Sequence, residues 1–301
     1  MSSILQCPVC RKPLLSSADG YQCAERHSFD AARQGYVNLV LSHNKNSKEP
    51  GDGPEMIRSR RRFLDLGYYN RVSDTINEAI ATVLSGFAQD CDCNLLDAGC
   101  GEGFYLQRLK YALDHGREAD RPIAYHGVDV AKFAVRQATQ RDRGMDWFVA
   151  SINDLPFMDA SLDILLSVFS PANIPEFARI IKHLGSLVFV SPGPQHLNGL
   201  REIIYPVTRV HEPPTITEKA RELFASAAVT RVTYPLELQN HQEIMDLLAM
   251  TPYYWNIDQE TKARVAALDR LALDVDVEVR VFRREAGEAA RPPGIDEEIA
   301  K

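Results

Sequence analysis

Three cysteines and a histidine fall inside twenty-one residues near the start of the chain, in CPVCRKPLLSSADGYQCAERH (7–27). Cys7 and Cys10 form C-x2-C, twelve residues follow, and Cys23 and His27 form C-x3-H. Two short pairs across a hairpin-sized gap can close a tetrahedral zinc site, since each pair sits on a tight turn with both side chains facing one ion. Pro8 and Pro13 stiffen the first turn, and Asp19-Gly20 is a hairpin signal between the pairs. Four ligands leave no open position, so the metal is read as structural: it replaces the core that so short a module could not build alone. Cys91, Cys93 and Cys100 lack a partner pair at metal spacing and are read as ordinary small residues.

A second constellation lies in the middle of the chain. In CNLLDAGCGEGFYLQRLKYAL, Asn94 to Ala98 reads as a buried strand, Gly99 to Gly103 as a glycine loop and Phe104 to Leu113 as a helix. Such a unit aims backbone N–H groups at a ligand. The next strand, IAYHGVDV (123–130), carries Asp129, placed to accept both ribose hydroxyls of a nucleoside. The glycines at 99, 101 and 103 do not match G-x-G-x-x-G, and Asp97 and Glu102 would repel a pyrophosphate. A cationic nucleoside without phosphate fits better, and S-adenosylmethionine has those properties.

The elements around these residues set the fold class. Apolar period predicts a helix over 71–86, then strand alternates with helix five times, ending in IPEFARIIKHL as a helix stopped by Gly185 and SLVFVSPGP as the fifth strand. VTRVTYPLELQ and DVEVRVFRR add two strands, with helices near 241–249 and 259–271. The expectation is an α/β protein with a seven-stranded Rossmann-like methyltransferase sheet behind a small zinc module. The boundaries are placed at 1–38 for the zinc module, 39–70 for a basic linker, 71–285 for the main domain and 286–301 for a disordered tail. A net charge of −7 argues against a general polyanion binder, but HNKNSKEPGDGPEMIRSRRRF (43–63) holds a local basic patch with Lys45, Lys48, Arg58, Arg60, Arg61 and Arg62. No signal peptide or membrane-length apolar run is present, so the expected location is cytoplasmic.

The motifs taken together resemble one family. C-x2-C-x12-C-x3-H, FDAARQGYVNL, EPGDGPEMIRSRRRFLDLGYY, LDAGCGEGFY and SPGPQHL, spread from residue 7 to about 284, resemble the bacterial 23S ribosomal RNA (guanine-N1)-methyltransferases. The resemblance implies class I, S-adenosylmethionine-dependent methyl transfer to a guanine in an RNA hairpin. It implies zinc on Cys7, Cys10, Cys23 and His27, and cofactor contacts at Tyr69, Gly101, Glu102 and His196, to which the local reading adds Asp97, Gly99 and Asp129. A homodimer is implied by the same likeness. The SPANIPEF loop, variable in the family, would face the target base.

Guanine N1 carries a proton that must leave, so a general base is expected. Glu176 and Asp154 are candidates by position, with His196 a third. Arg58, Arg60, Arg61 and Arg62 are candidates for phosphate contact, and Phe29 and Tyr36 for base stacking. Zinc-ligand substitution is expected to cost RNA methylation more than cofactor affinity. The competing readings are a small-molecule methyltransferase using the same cofactor and a non-catalytic RNA-binding protein with a relic fold.

Overall fold

The computed structural model describes residues 4–17, 19–41, 51–205 and 215–285. Lys45, Lys48 and the tail expected to be disordered lie outside them.

The front module is a three-stranded antiparallel sheet of β1 (Leu14–Ser17), β2 (Gly20–Cys23) and β3 (Ser28–Asp30). Gly20 is not a turn residue as its Asp-Gly setting predicts. It already pairs with Ser17 and lies so close to the Phe29 carbonyl that a Cβ would stand 2.2 Å from it. A short strand β4 (Tyr36–Asn38) leaves the module and pairs in parallel with β7 (Asp146–Val149). This makes the main sheet eight-stranded rather than seven-stranded. A three-residue strand with no alternation of its own gives no signal in sequence; the free edge of β7 creates it.

The other strands are β5 (Cys93–Ala98), β6 (Ile123–Asp129), β8 (Leu162–Val168), β9 (Ile181–Pro192), β10 (Phe224–Leu238) and β11 (Leu271–Arg284). Their spatial order is β10-β11-β9-β8-β5-β6-β7-β4. The strands from β9 to β4 run parallel, while β11 pairs antiparallel with both β9 and β10. Order reverses across β5, with β8 on one side and β6 on the other, which opens a crevice at the carboxyl end of β5.

Successive residues of the central strands serve opposite faces. Leu95, Val188 and Val190 enter one core with α2 (Asn70–Leu84) and α3 (Phe104–Asp114). Leu96, Leu187 and Phe189 enter the other, with α5 (Ile174–Ile180) and with Cys7, Leu14 and Cys23 of the zinc module. This period of two, with both faces apolar, accounts for the consecutive apolar residues Leu95-Leu96 in β5 and Leu187 to Val190 in β9. The zinc module therefore shares a core with the large domain.

Two helices end earlier than their sequences suggest. α5 stops at Ile180, and Gly185 lies within β9, where a Cβ would stand 2.9 Å from the Asp163 carbonyl. The chain leaves the helix because Ile181 pairs with Leu162 of β8. The helix expected over 259–271 closes at Ala266, after which Leu271 joins β11.

Further helices pack around this frame. α1 (Pro54–Asp65) starts on Gly53-Pro54 and packs on the helix His241–Ala249. α4 (Lys132–Arg141) follows Asp129. Among the described residues no helix is long and apolar enough to cross a membrane.

Candidate methyl-transfer and zinc sites

The four predicted zinc ligands converge. Cys7, Cys10, Cys23 and His27 offer one ligand atom each, all within 4.8 Å of one another. Zinc–sulfur bonds of about 2.3 Å and zinc–nitrogen bonds of about 2.0 Å give tetrahedron edges of about 3.8 Å and about 3.6 Å. The observed Cys10 Sγ–Cys23 Sγ and Cys7 Sγ–His27 Nδ1 distances are both 3.6 Å, and Cys23 Sγ–His27 Nδ1 is 3.3 Å. The residues fit zinc. Each pair closes a turn: Arg11 N–H donates to the Cys7 carbonyl and Arg26 N–H to the Cys23 carbonyl, both 2.9 Å, and both arginines have left-handed φ (61° and 64°). Burial acts to raise the Cys23 thiol, but hydrogen bonds from the His27 and Glu25 backbone and from the Cys10 and His27 side chains outweigh it and bring it to about 7, favouring the thiolate a metal needs. Among the described residues this is the one such cluster, and Cys91, Cys93 and Cys100 join none.

The module is fastened to the large domain through the segment that follows β7. Gln6 N–H donates to the Pro156 carbonyl at 3.0 Å, Met158 N–H to the Ile4 carbonyl at 2.8 Å, and Arg11 Nη1 to Asp154 Oδ1 at 2.6 Å. The segment 151–158 that follows β7 is thus held from the zinc side. Glu176 holds it from the other: Oε1 accepts from Leu155 N–H and Arg179 Nη2, both 2.7 Å, and Oε2 from Arg179 Nε at 2.9 Å. Asp154 and Glu176 are therefore both engaged in positioning this segment.

The glycine loop occupies the crevice at the carboxyl end of β5. Gly99 has φ 83°, and a Cβ there would stand 2.5 Å from Ser170, whose hydroxyl donates to the Ala98 carbonyl. Gly103, at φ 86°, starts α3 where a Cβ would meet Trp147 at 2.9 Å and Ala138 at 3.0 Å. Asp129 folds back on the loop: Oδ2 accepts from Gly101 N–H at 2.9 Å and Oδ1 from Ala131 N–H at 2.8 Å. A carboxylate oxygen has two lone pairs, so each can still take a ribose hydroxyl.

Asp97 is buried, and its Oδ1 has no partner among the described residues. Burial, then the charge of Asp129, pushes its carboxyl up to about 8. Glu102 is 1% exposed; Oε2 pairs with Arg141 Nε at 2.5 Å while Oε1 is orphaned. Buried acceptors without donors are costly in isolation and are explained by a ligand that supplies donors and positive charge. S-adenosylmethionine has an ammonium, a sulfonium and ribose hydroxyls, so the residues fit it.

Tyr69 and His196, 127 residues apart, meet beside the loop with Tyr69 Oη 3.3 Å from His196 Nε2. Asp276 N–H donates to His196 Nδ1 at 3.2 Å. That bond assigns the proton of the neutral ring to Nε2, facing Tyr69. With both nitrogens engaged, His196 is held as an orienting group rather than a free base. Phe169 was not singled out by the sequence. It follows β8 at a left-handed φ of 49°, is 40% exposed, stacks on His196 (5.8 Å, 20°) and meets Tyr69 edge-on at 6.2 Å. An aromatic held strained and exposed beside a cofactor loop is the signal, and only the backbone reveals it.

The basic helix is less free than its composition suggests. Arg58 lies over the Phe133 ring, Arg60 pairs with Asp52 at 2.6 Å, Arg61 donates to Gln137, and Arg62 grips the buried Asp246 through two nitrogens. Of the proposed stacking residues, Tyr36 is 5% exposed and Phe29 packs against the core shared with the zinc module. Core packing explains both.

Known proteins with these features are informative. A family model described as the N-terminal zinc ribbon of RlmA matches residues 5–48, and a methyltransferase-domain model matches residues 89–253. A 23S rRNA (guanine(748)-N(1))-methyltransferase of Streptomyces fradiae is 31% identical over 262 residues, covering 86% of this chain and 89% of its own. Bacillus subtilis YxjB, provisionally named as a 23S rRNA (guanine-N(1)-)-methyltransferase, is 30% identical over 284 residues, covering 93% of this chain and 96% of its own.

Proposed function

The chain belongs to the zinc-ribbon 23S rRNA (guanine-N1)-methyltransferase family, and we propose from this membership and from the crevice geometry that it methylates N1 of a guanine in a 23S rRNA hairpin loop. The observation that carries the reading is the joint presence, over most of the chain, of the zinc ribbon and a cofactor crevice in which buried oxygens of Asp97 and Glu102 lack donors. S-adenosylmethionine supplies an electrophilic methyl on its sulfonium, and the rate comes largely from holding nucleophile and methyl in line. Zinc would be held by Cys7, Cys10, Cys23 and His27.

In this reading Asp129 takes the ribose, Gly99 and Gly101 give the ligand close backbone approach, and Asp97 and Glu102 set the negative field that suits a cation. Tyr69 and His196 fix the methyl-bearing end, and Phe169 offers a face on which a splayed guanine can stack. Both Glu176 oxygens are engaged by Leu155 and Arg179, whereas Asp154 is bound through Oδ1 alone to Arg11 and stays the candidate to take the N1 proton on Oδ2. The zinc module, buttressed on that segment, would contact the RNA while the crevice takes the base. Residues 1–38, 39–70 and 71–285 are proposed as module, linker and catalytic domain, with β4 joining the first to the sheet of the third. A homodimer and a cytoplasmic location, where ribosomes are assembled, complete the proposal.

The test is incubation with methyl-labelled S-adenosylmethionine and unmodified 23S rRNA, followed by digestion and mass spectrometry. Label on 1-methylguanosine is expected. Label on another nucleoside would overturn the N1 assignment, and cofactor binding without RNA labelling would favour a small-molecule substrate.

A further inference from the structure

The cofactor crevice is acidic. Asp97, Glu102 and Asp129 line the loop; burial pushes the Asp129 carboxyl up, and the nearby Asp52 adds to the rise. This field suits an ammonium and a sulfonium, but the amino-acid end of S-adenosylmethionine also carries a carboxylate. A carboxylate entering such a field needs a cation already in place. Arg141 is unsuited, because its Nε is bound to Glu102 and its Nη2 to Asp65 at 2.7 Å.

Arg60 has the required placement. From α1 it reaches over the glycine loop, so that a Cβ on Gly101 would stand 3.4 Å from Arg60 Nη1. Its charge is felt by Asp129 and by Tyr105. The guanidinium is held from behind, with Nη2 donating to Asp52 Oδ2 at 2.6 Å, while Nη1 has no acceptor among the described residues. Asp52 is itself fixed: its neighbour Gly51, at φ 85°, sits so tightly on Val130 that a Cβ would stand 2.9 Å from Val130 Cγ1. One arm of a rigid fork is anchored and the other is presented to the crevice, an arrangement a lysine could not reproduce.

We propose that Arg60, oriented by Asp52, binds the α-carboxylate of S-adenosylmethionine and selects the intact amino-acid end of the cofactor. Arg60 is then a cofactor-binding residue and Asp52 a positioning residue. The anchor explains why this arginine, within a run that looks like a phosphate-binding patch, is 23% exposed at its side chain and turned inward. The inference rests on S-adenosylmethionine being the cofactor.

The experiment is calorimetric titration of the full-length, zinc-loaded protein with S-adenosylmethionine and with decarboxylated S-adenosylmethionine, which keeps the adenosine, sulfonium and ammonium. The unchanged protein should prefer the intact cofactor by about 10- to 100-fold, the range of a charge-assisted pair. R60Q should lose that preference by weakening the intact cofactor alone, and D52N should show a smaller loss of the same selectivity. R60K carries the test should R60Q fail to fold, and it too should lose affinity for the intact cofactor only. Equal weakening of both ligands, or no change in either, overturns the assignment; weakened RNA binding with cofactor selectivity intact would return Arg60 to phosphate contact. If the unchanged protein binds neither ligand, the cofactor reading falls and the Arg60 assignment with it.

Discussion

Asp97 gives the sharpest quantitative test of the crevice. An ordinary aspartate titrates near about 3.9, and burial followed by the charge of Asp129 raises this one to about 8. The folded protein then binds a proton that the unfolded chain releases across that interval. A raised folded-state value means the contribution to stability is complete below the unfolded value and is lost as pH rises through the folded one. Integrating the linkage from pH 6 to pH 8 gives a loss of about 2 kcal/mol from this carboxyl. Asp97→Asn removes the titration while keeping an acceptor oxygen in place. Urea unfolding of zinc-loaded, cofactor-free protein should show the unchanged chain losing about 2 kcal/mol more than the variant over that range. The zinc ligands titrate identically in both proteins and cancel in the difference. Saturating S-adenosylhomocysteine, whose ammonium favours the ionised carboxylate, should flatten the slope of the unchanged chain, and its affinity should rise with pH from 6 to 8. Parallel pH slopes for the two cofactor-free proteins would refute the reasoning.

Other consequences follow from the same geometry. Zinc removal by a chelator should lower cofactor affinity as well as thermal stability, because Gln6, Arg11 and Ile4 hold segment 151–158. Unchanged binding of S-adenosylhomocysteine by the zinc-free protein would restore the looser link expected from sequence. Gly103→Ala should destabilise by about 2–4 kcal/mol, combining a left-handed φ with overpacking against Trp147 and Ala138, as read by urea titration. Arg121→Ala should cost about 3–5 kcal/mol in the same assay. It strands the buried Glu118 carboxylate and takes the guanidinium donors from the Leu84, Phe87 and Ala88 carbonyls, of which Leu84 and Ala88 keep the Phe87 and Cys91 N–H. Phe169→Ala should reduce methylation of RNA at least tenfold while leaving S-adenosylhomocysteine affinity within about twofold, a separation expected if stacking holds the base.

Chemistry carried by short-range spacing was legible in the chain itself. The zinc ligands lie in two pairs, each closed by its own turn, so C-x2-C and C-x3-H specify the cluster before any fold exists. The glycine loop and Asp129 follow the same logic, since a strand, a turn and a helix in immediate succession have few ways to pack. The repeated alternation of strand and helix announced a parallel sheet covered on both faces.

What depended on contacts between distant segments was decided only by the tertiary structure. The eighth strand exists because β7 has an edge for Tyr36–Asn38 to join, and α5 ends where Ile181 finds Leu162. Glu176 and Asp154 look like spare carboxylates in sequence, yet their partners are Leu155, Arg179 and Arg11. The arginines of α1 form a basic run in one dimension; in three, each meets a different partner, and Arg60 turns towards the cofactor loop. Tyr69, Phe169 and His196 come from three separate segments and form one aromatic wall. Local spacing encodes groups that share a turn, whereas groups brought together by packing share no pattern along the chain until the sheet has assembled.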